Sequence, residues 1–213
     1  MFTNHYSSYT GYSVDSYVYY GSATGFSASN RDDITTDGAV SSASGDFNGD
    51  GLADLAFGGY FNHPSYLQDT YVYYGTTTGY SSASSDSFTG LGVFDTLAAD
   101  LDSDGYDELV LATYYTGSSY AYNAYIYKGT SSGVSTSATM LDTVGTRKVT
   151  VGDLDADGHP ELIFNTYYTG NWSSPDGAYV YWGSSGAYTE ADRTILDTAG
   201  ALGPSVLVGD ASW

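Results

Sequence analysis

The sequence has no cysteine, so disulfides, thiolate metal sites and thiol nucleophiles are excluded from the outset. Positive charge is nearly as scarce: five Lys and Arg face 25 Asp and Glu in 213 residues, a formal net charge of −20. Phosphate contacts need clustered Lys and Arg, so no nucleic-acid partner is expected. Of Arg31, Lys128, Arg147, Lys148 and Arg193, only Arg147 and Lys148 are adjacent. An anionic membrane surface is disfavoured for the same reason. No stretch approaches the roughly 18 consecutive apolar residues of a membrane span, so no membrane insertion is expected. The N-terminus lacks the basic region and apolar core of a secretory signal, and the expectation is a soluble, mature chain.

What is present is tyrosine and glycine, 24 and 27 residues, with a 41% hydrophobic fraction sufficient for a core. That composition favours strands and tight turns over helices. The chain is also a repeat. The strings Tyr17-Val18-Tyr19-Tyr20-Gly21, Tyr71-Val72-Tyr73-Tyr74-Gly75, Tyr125-Ile126-Tyr127-Lys128-Gly129 and Tyr179-Val180-Tyr181-Trp182-Gly183 recur every 54 residues. About 25 residues before each of the last three lies an acidic string, beginning at Asp46, Asp100 and Asp153.

Turn residues divide each unit into strands. In the last full unit the pattern predicts strands at 148–152, 162–168 and 178–182, with a weaker fourth through 187–195. Four short strands per repeat of about 50 residues is the pattern of a β-propeller blade. The prediction is an all-β propeller of four repeats, a single domain over 1–213. Its blades would span 1–38 with 204–213, 39–92, 93–145 and 146–203. Val206-Leu207-Val208-Gly209-Asp210 matches Val149-Thr150-Val151-Gly152-Asp153, so the C-terminal strand should complete the N-terminal blade. It could do so in the same chain, giving a four-bladed monomer, or in a second copy, giving an eight-bladed homodimer.

The acidic strings have calcium-loop chemistry. Calcium takes six to eight oxygen ligands, and carboxylates at positions 1, 3 and 5 fold round one ion, with glycine at position 6 for the turn. The predicted side-chain ligands are Asp46, Asn48, Asp50 and Asp54; Asp100, Asp102, Asp104 and Glu108; and Asp153, Asp155, Asp157 and Glu161. Leu52, Tyr106 and His159 would add carbonyls, and Asp107, at position 8, should point away. A helix-flanked calcium loop is excluded because the glutamate at position 12 is missing. Three Ca2+ sites are expected, stabilising the fold and leaving a net charge of about −14. A fourth loop beginning at Asp210 is truncated and should hold no ion.

The acidic loop, the apolar strand after it and the Tyr-Val-Tyr-Tyr-Gly string together resemble the FG-GAP repeats of integrin α-subunit propellers. They are similar too to bacterial repeat proteins and fungal propeller lectins of that family. The resemblance covers nearly the whole chain and implies loops that join the first two strands of a blade and bind calcium. The name-giving tripeptides survive only loosely, as Ala56-Phe57-Gly58-Gly59.

Each unit carries aromatics after its second strand: His5, Tyr6, Tyr9 and Tyr12; Tyr60, Phe61, His63 and Tyr66; Tyr114, Tyr115, Tyr120 and Tyr122; Tyr167, Tyr168 and Trp172. Flat aromatic faces stack on sugar rings, and loops on a rigid scaffold commonly bind ligands. The expected glycan contacts are Trp172, Tyr168, Tyr115, Tyr120, Phe61 and Tyr66. Trp182, on a strand, is expected in the core. The acidity favours neutral sugars over sulfated ones. A structural or protein-binding adhesion module is the alternative. No enzyme is expected: the histidines are scattered, and calcium accounts for every carboxylate cluster. Calcium loops of this kind suit the millimolar calcium outside cells, so an extracellular or cell-surface location is expected.

Overall fold

The computed structural model describes residues 1–6, 11–62, 64–120, 122–167, 177–185 and 187–198. Fourteen strands run through these residues. A two-stranded sheet, β1 (Ser16–Tyr19) and β2 (Arg31–Ile34), comes first. Three four-stranded antiparallel sheets follow. One holds β3 (Ala39–Gly45), β4 (Asp54–Gly59), β5 (Thr70–Tyr73) and β6 (Ser85–Phe88). The next holds β7 (Val93–Ala99), β8 (Glu108–Thr113), β9 (Ala124–Tyr127) and β10 (Ala138–Leu141). The last holds β11 (Thr146–Gly152), β12 (Glu161–Thr166), β13 (Gly177–Tyr181) and β14 (Arg193–Asp197).

Each four-stranded sheet is an up-and-down meander in chain order, and the innermost strands pack in series, β3 beside β7 and β7 beside β11. This is the β-propeller that the repeat predicts. The fourth strand of the last sheet departs from the expected 187–195. A 3-10 turn over Glu190–Asp192 comes first and the strand begins at Arg193.

The second strands β4, β8 and β12 are buried at every position because both of their faces meet apolar neighbours. Leu55 and Phe57 pack toward Val18 and Ile34 of the first sheet, whereas Ala56 packs with Leu109 and Leu111 of the next. Val110 and Ala112 in turn meet Leu162 and Phe164. Alternation along one strand therefore serves two interfaces at once. Among the described residues Ile163, on the outward face of β12, clusters with Ala178, Val180 and Trp182 of its own sheet. Trp182 is half-buried there and donates through Nε1 to Thr194 Oγ1 (3.0 Å) on the edge strand, so it is a flank residue and not the core residue expected. At the opposite end of the array Met1, Phe2 and Phe26 are exposed beside Tyr17 and Tyr19. The expected closing strand, 204–213, lies outside the described residues.

The first and second strands of each sheet meet at the acidic loop. By the antiparallel topology, the aromatic segment after the second strand stands at the other end of the blade.

Candidate functional site

The acidic loops turn sharply through two left-handed residues. The glycines at position 6, Gly51, Gly105 and Gly158, have φ of 81°, 90° and 90°. Position 4 is left-handed as well, at Gly49 (70°), Ser103 (61°) and Ala156 (62°). The first carboxylate caps the turn: Asp46 accepts from the Asp50 and Gly51 N–H groups at 3.1 and 2.8 Å, and Asp100 from Asp104 and Gly105, both at 3.1 Å. Asp153 accepts from Gly158 at 3.0 Å. Asp50, Asp104 and Asp157 each accept from the N–H two residues on, which turns one oxygen inward to the backbone.

Two loops gather a carboxylate trio. Oxygens of Asp100, Asp102 and Glu108 lie within 4.8 Å of one another, as do those of Asp153, Asp155 and Glu161. Glu108 and Glu161 are 2% and 1% exposed. Glu108 Oε2 accepts from Leu101 N at 2.8 Å, and Glu161 Oε2 from Leu154 N at 2.5 Å. Asp102 Oδ1, Glu108 Oε1 and Asp153 Oδ1 are buried with no hydrogen-bond partner. Buried orphan carboxylate oxygens facing like charges are costly alone and are matched by a divalent cation. The donor set thus fits calcium in the second and third loops.

The first loop differs. Among the described residues Asp46, Asp50 and Asp54 form no such trio. Asn48 replaces one carboxylate, and Asp54 has both oxygens engaged, accepting from Phe47 N at 3.0 Å and Gly75 N at 2.8 Å. The three loops are alike in sequence but not in the oxygens they leave open.

Burial pushes the Glu108 carboxyl up to about 7, helped by Asp102 and Asp104 and opposed by the Leu101 N–H and Lys128. Asp54 is pushed up to about 6, again chiefly by burial. Lys128, in the place held by Tyr20, Tyr74 and Trp182 in the other repeats, puts Nζ 2.5 Å from Asp102 Oδ2. That hydrogen bond raises the lysine's pKa. The second loop therefore has a resident cation beside its trio.

Asp107 points away from its own trio, as expected, and reaches the first loop. Its N–H donates to Asp46 O (3.0 Å) and its Oδ2 accepts from Asp46 N (2.7 Å). Thr130 N adds a bond to Phe47 O at 3.1 Å. In the third loop position 8 is Pro160, which has no N–H to give.

The opposite end is aromatic. Tyr12, Phe61, Tyr66, Tyr115 and Tyr120 form a continuous chain across three repeats, with successive ring centroids 4.9, 4.6, 5.0 and 4.4 Å apart. Four of the six expected ligand contacts are thus brought together; Trp172 and Tyr168 lie outside the described residues, as does His63. A deeper layer, Tyr60, Phe94, Tyr114 and Tyr167, backs this chain, and burial pushes the Tyr60 and Tyr114 phenols up.

Phe94 and Arg147 belong to this end and were not expected there. Each inner strand has a register shift at its second residue, Val40, Phe94 and Arg147, a β-bulge at one repeat position. The Arg147 guanidinium lies 4.5 Å from the Phe94 and Tyr114 ring centroids and 4.3 Å from Tyr167. The available signal was a repeat position holding valine, phenylalanine and arginine in turn.

Residues 38–74 match the FG-GAP repeat, and residues 100–164 match the FG-GAP-like repeat. The chain carries FG-GAP repeats. The first match spans β3, the first acidic loop, β4 and β5, and the second runs from the second loop into β12. FG-GAP repeats suggest a propeller-type interaction module and are typically non-catalytic. Comparison with curated proteins gave no match. Among the described residues no helix is long and apolar enough to cross a membrane.

Proposed function

We propose that this FG-GAP propeller is a non-catalytic recognition module, stabilised by calcium in its acidic loops, that binds glycans at its aromatic end in an extracellular or cell-surface setting. The observation supporting it is the unbroken aromatic chain from Tyr12 to Tyr120, which offers several ring faces on one end of a rigid scaffold. Sugar rings present apolar C–H faces to such surfaces, and phenol hydroxyls reach sugar oxygens. The net charge of −20 repels polysulfated chains, leaving glycans of little or no charge.

The test is a glycan array probed with calcium-loaded protein and repeated after chelation. Binding to a defined glycan, weakened at least about tenfold by Phe61→Ala or Tyr115→Ala, supports the reading. No binding across a broad array, with far-UV circular dichroism showing an intact fold, rejects it.

A second reading rests on exposed apolar residues at the two ends of the array, Phe2 and Phe26 at one and Ile195 and Leu196 of β14 at the other. These would suit a protein-binding or structural module, including an eight-bladed pair. A native mass of about twice 22.5 kDa supports the pair, and 22.5 kDa rejects it.

A further inference from the structure

We propose that Arg147 is an anion-recognising element of the aromatic end, and that the glycan bound there carries one carboxylate, as a uronic-acid residue does. This rests on the glycan reading above. The first support is the pairing of cations. Arg31 pairs with Asp33 at 2.6 Å, Lys128 with Asp102 at 2.5 Å, Lys148 with Asp95 at 3.0 Å and Arg193 with Glu190 at 2.7 Å. In a chain with five times as many acids as bases, Arg147 has no ion pair and no hydrogen bond among the described residues. Its Nε is shielded from solvent and without a partner. A desolvated guanidinium donor left unpaired is disfavoured and is matched by an acceptor from outside.

The second support is geometry. The bulge that opens β11 falls at Arg147, the repeat position that carries Val40 on β3 and Phe94 on β7, and among these three only Arg147 brings a charge and hydrogen-bond donors to that end of the blade. The guanidinium carbon lies 4.3–4.5 Å from the Phe94, Tyr114 and Tyr167 ring centroids. Contact with the ring π-systems restrains the group without using its N–H donors, which remain for an acceptor. A carboxylate has the matching spacing. Tyr114 also touches Tyr120, 5.3 Å between centroids, so a sugar whose carboxylate meets Arg147 lies beside the aromatic chain. One arginine offsets one negative charge, and the surrounding field opposes more, which selects a single carboxylate over sulfate clusters.

The test titrates calcium-loaded protein with methyl β-glucuronide, methyl β-glucoside and sodium acetate, following the Arg147 Nε–H signal by NMR. The glucuronide is expected to bind about tenfold tighter than the glucoside and to shift that signal. Arg147→Gln should abolish the preference and Arg147→Lys, which keeps the charge but loses the fork, should reduce it, with melting confirming that both variants fold. Equal binding of both sugars to the unaltered protein overturns the inference and leaves the glycan reading standing. A preference retained in both variants does the same. Acetate moving the signal while neither sugar binds overturns both, and so does the absence of any shift or binding.

Discussion

At the residue scale, the glycine that ends each of the last three Tyr-Val-Tyr-Tyr-Gly-type strings has a steric cause. A Cβ on Gly75, Gly129 or Gly183 would collide with the main-chain oxygen of Ala53, Asp107 or Pro160, which is position 8 of the acidic loop in the same repeat. In two repeats a tyrosine hydroxyl donates to that oxygen as well, Tyr80 to Ala53 at 2.8 Å and Tyr188 to Pro160 at 2.7 Å. The strand end and the loop are thus locked by contact, and Gly129→Ala should cost about 1–3 kcal/mol of unfolding free energy, measured by denaturant titration. Ala156 behaves oppositely. Its φ of 62° is strained for a side chain, so Ala156→Gly should raise stability by about 0.5–1 kcal/mol; a loss would show that the turn tolerates alanine without strain. The sequence made the glycine at position 6 readable because calcium loops require it. The left-handed position 4 was not readable, since serine and alanine give no sign of it.

At the element scale, the acidic loops set the response to pH and metal. Folding raises the Glu108 pKa from 4.5 to about 7, so the native state retains a proton that the unfolded chain releases. Stability of calcium-free protein should therefore fall as pH rises from about 4.5 to about 7, and Asp54 adds to the fall between 3.8 and about 6. An ion held by the trio would supply the positive charge that the proton otherwise provides, so added calcium should remove most of the slope. Thermal melts at pH 5 and pH 8, with chelator and with calcium, check this, and Glu108→Gln should flatten the chelated curve. Melts that rise with pH in chelator would contradict it. Lys128 modifies the same loop: its ammonium on Asp102 partly neutralises the trio without metal. Lys128→Met should lower the melting temperature in chelator and enlarge the gain on adding calcium. The ligand spacing was legible from Asp, Asn and Gly in phase. That Asp54 turns both oxygens to N–H groups was not, because Gly75 approaches only in the folded blade.

At the scale of the whole molecule, the 54-residue period was enough to read the propeller, because four phased strand strings can bury their faces only against one another. Strand ends were less legible: the fourth strand of the last sheet starts late because Glu190–Asp192 turns first, with Glu190 accepting from Asp142 N of the preceding sheet at 2.6 Å. Contacts between repeats, such as Arg147 against Phe94 and Tyr114 of the preceding repeat, have no local signature in the chain. The hydrogen bonds between Asp107 and Asp46 have a last consequence. They join the first two acidic loops through one backbone bond and the Asp107 carboxylate, whereas Pro160 leaves the third without the equivalent bonds to the second. Whatever orders the second loop also fixes the entry of the first, so the two share a free energy of coupling that the third does not. Calcium added to the second loop should then slow amide exchange in the first loop as well, and Asp107→Ala, which removes the carboxylate bond to Asp46 N but keeps the backbone bond to Asp46 O, should weaken that link while leaving the third loop's calcium affinity unchanged.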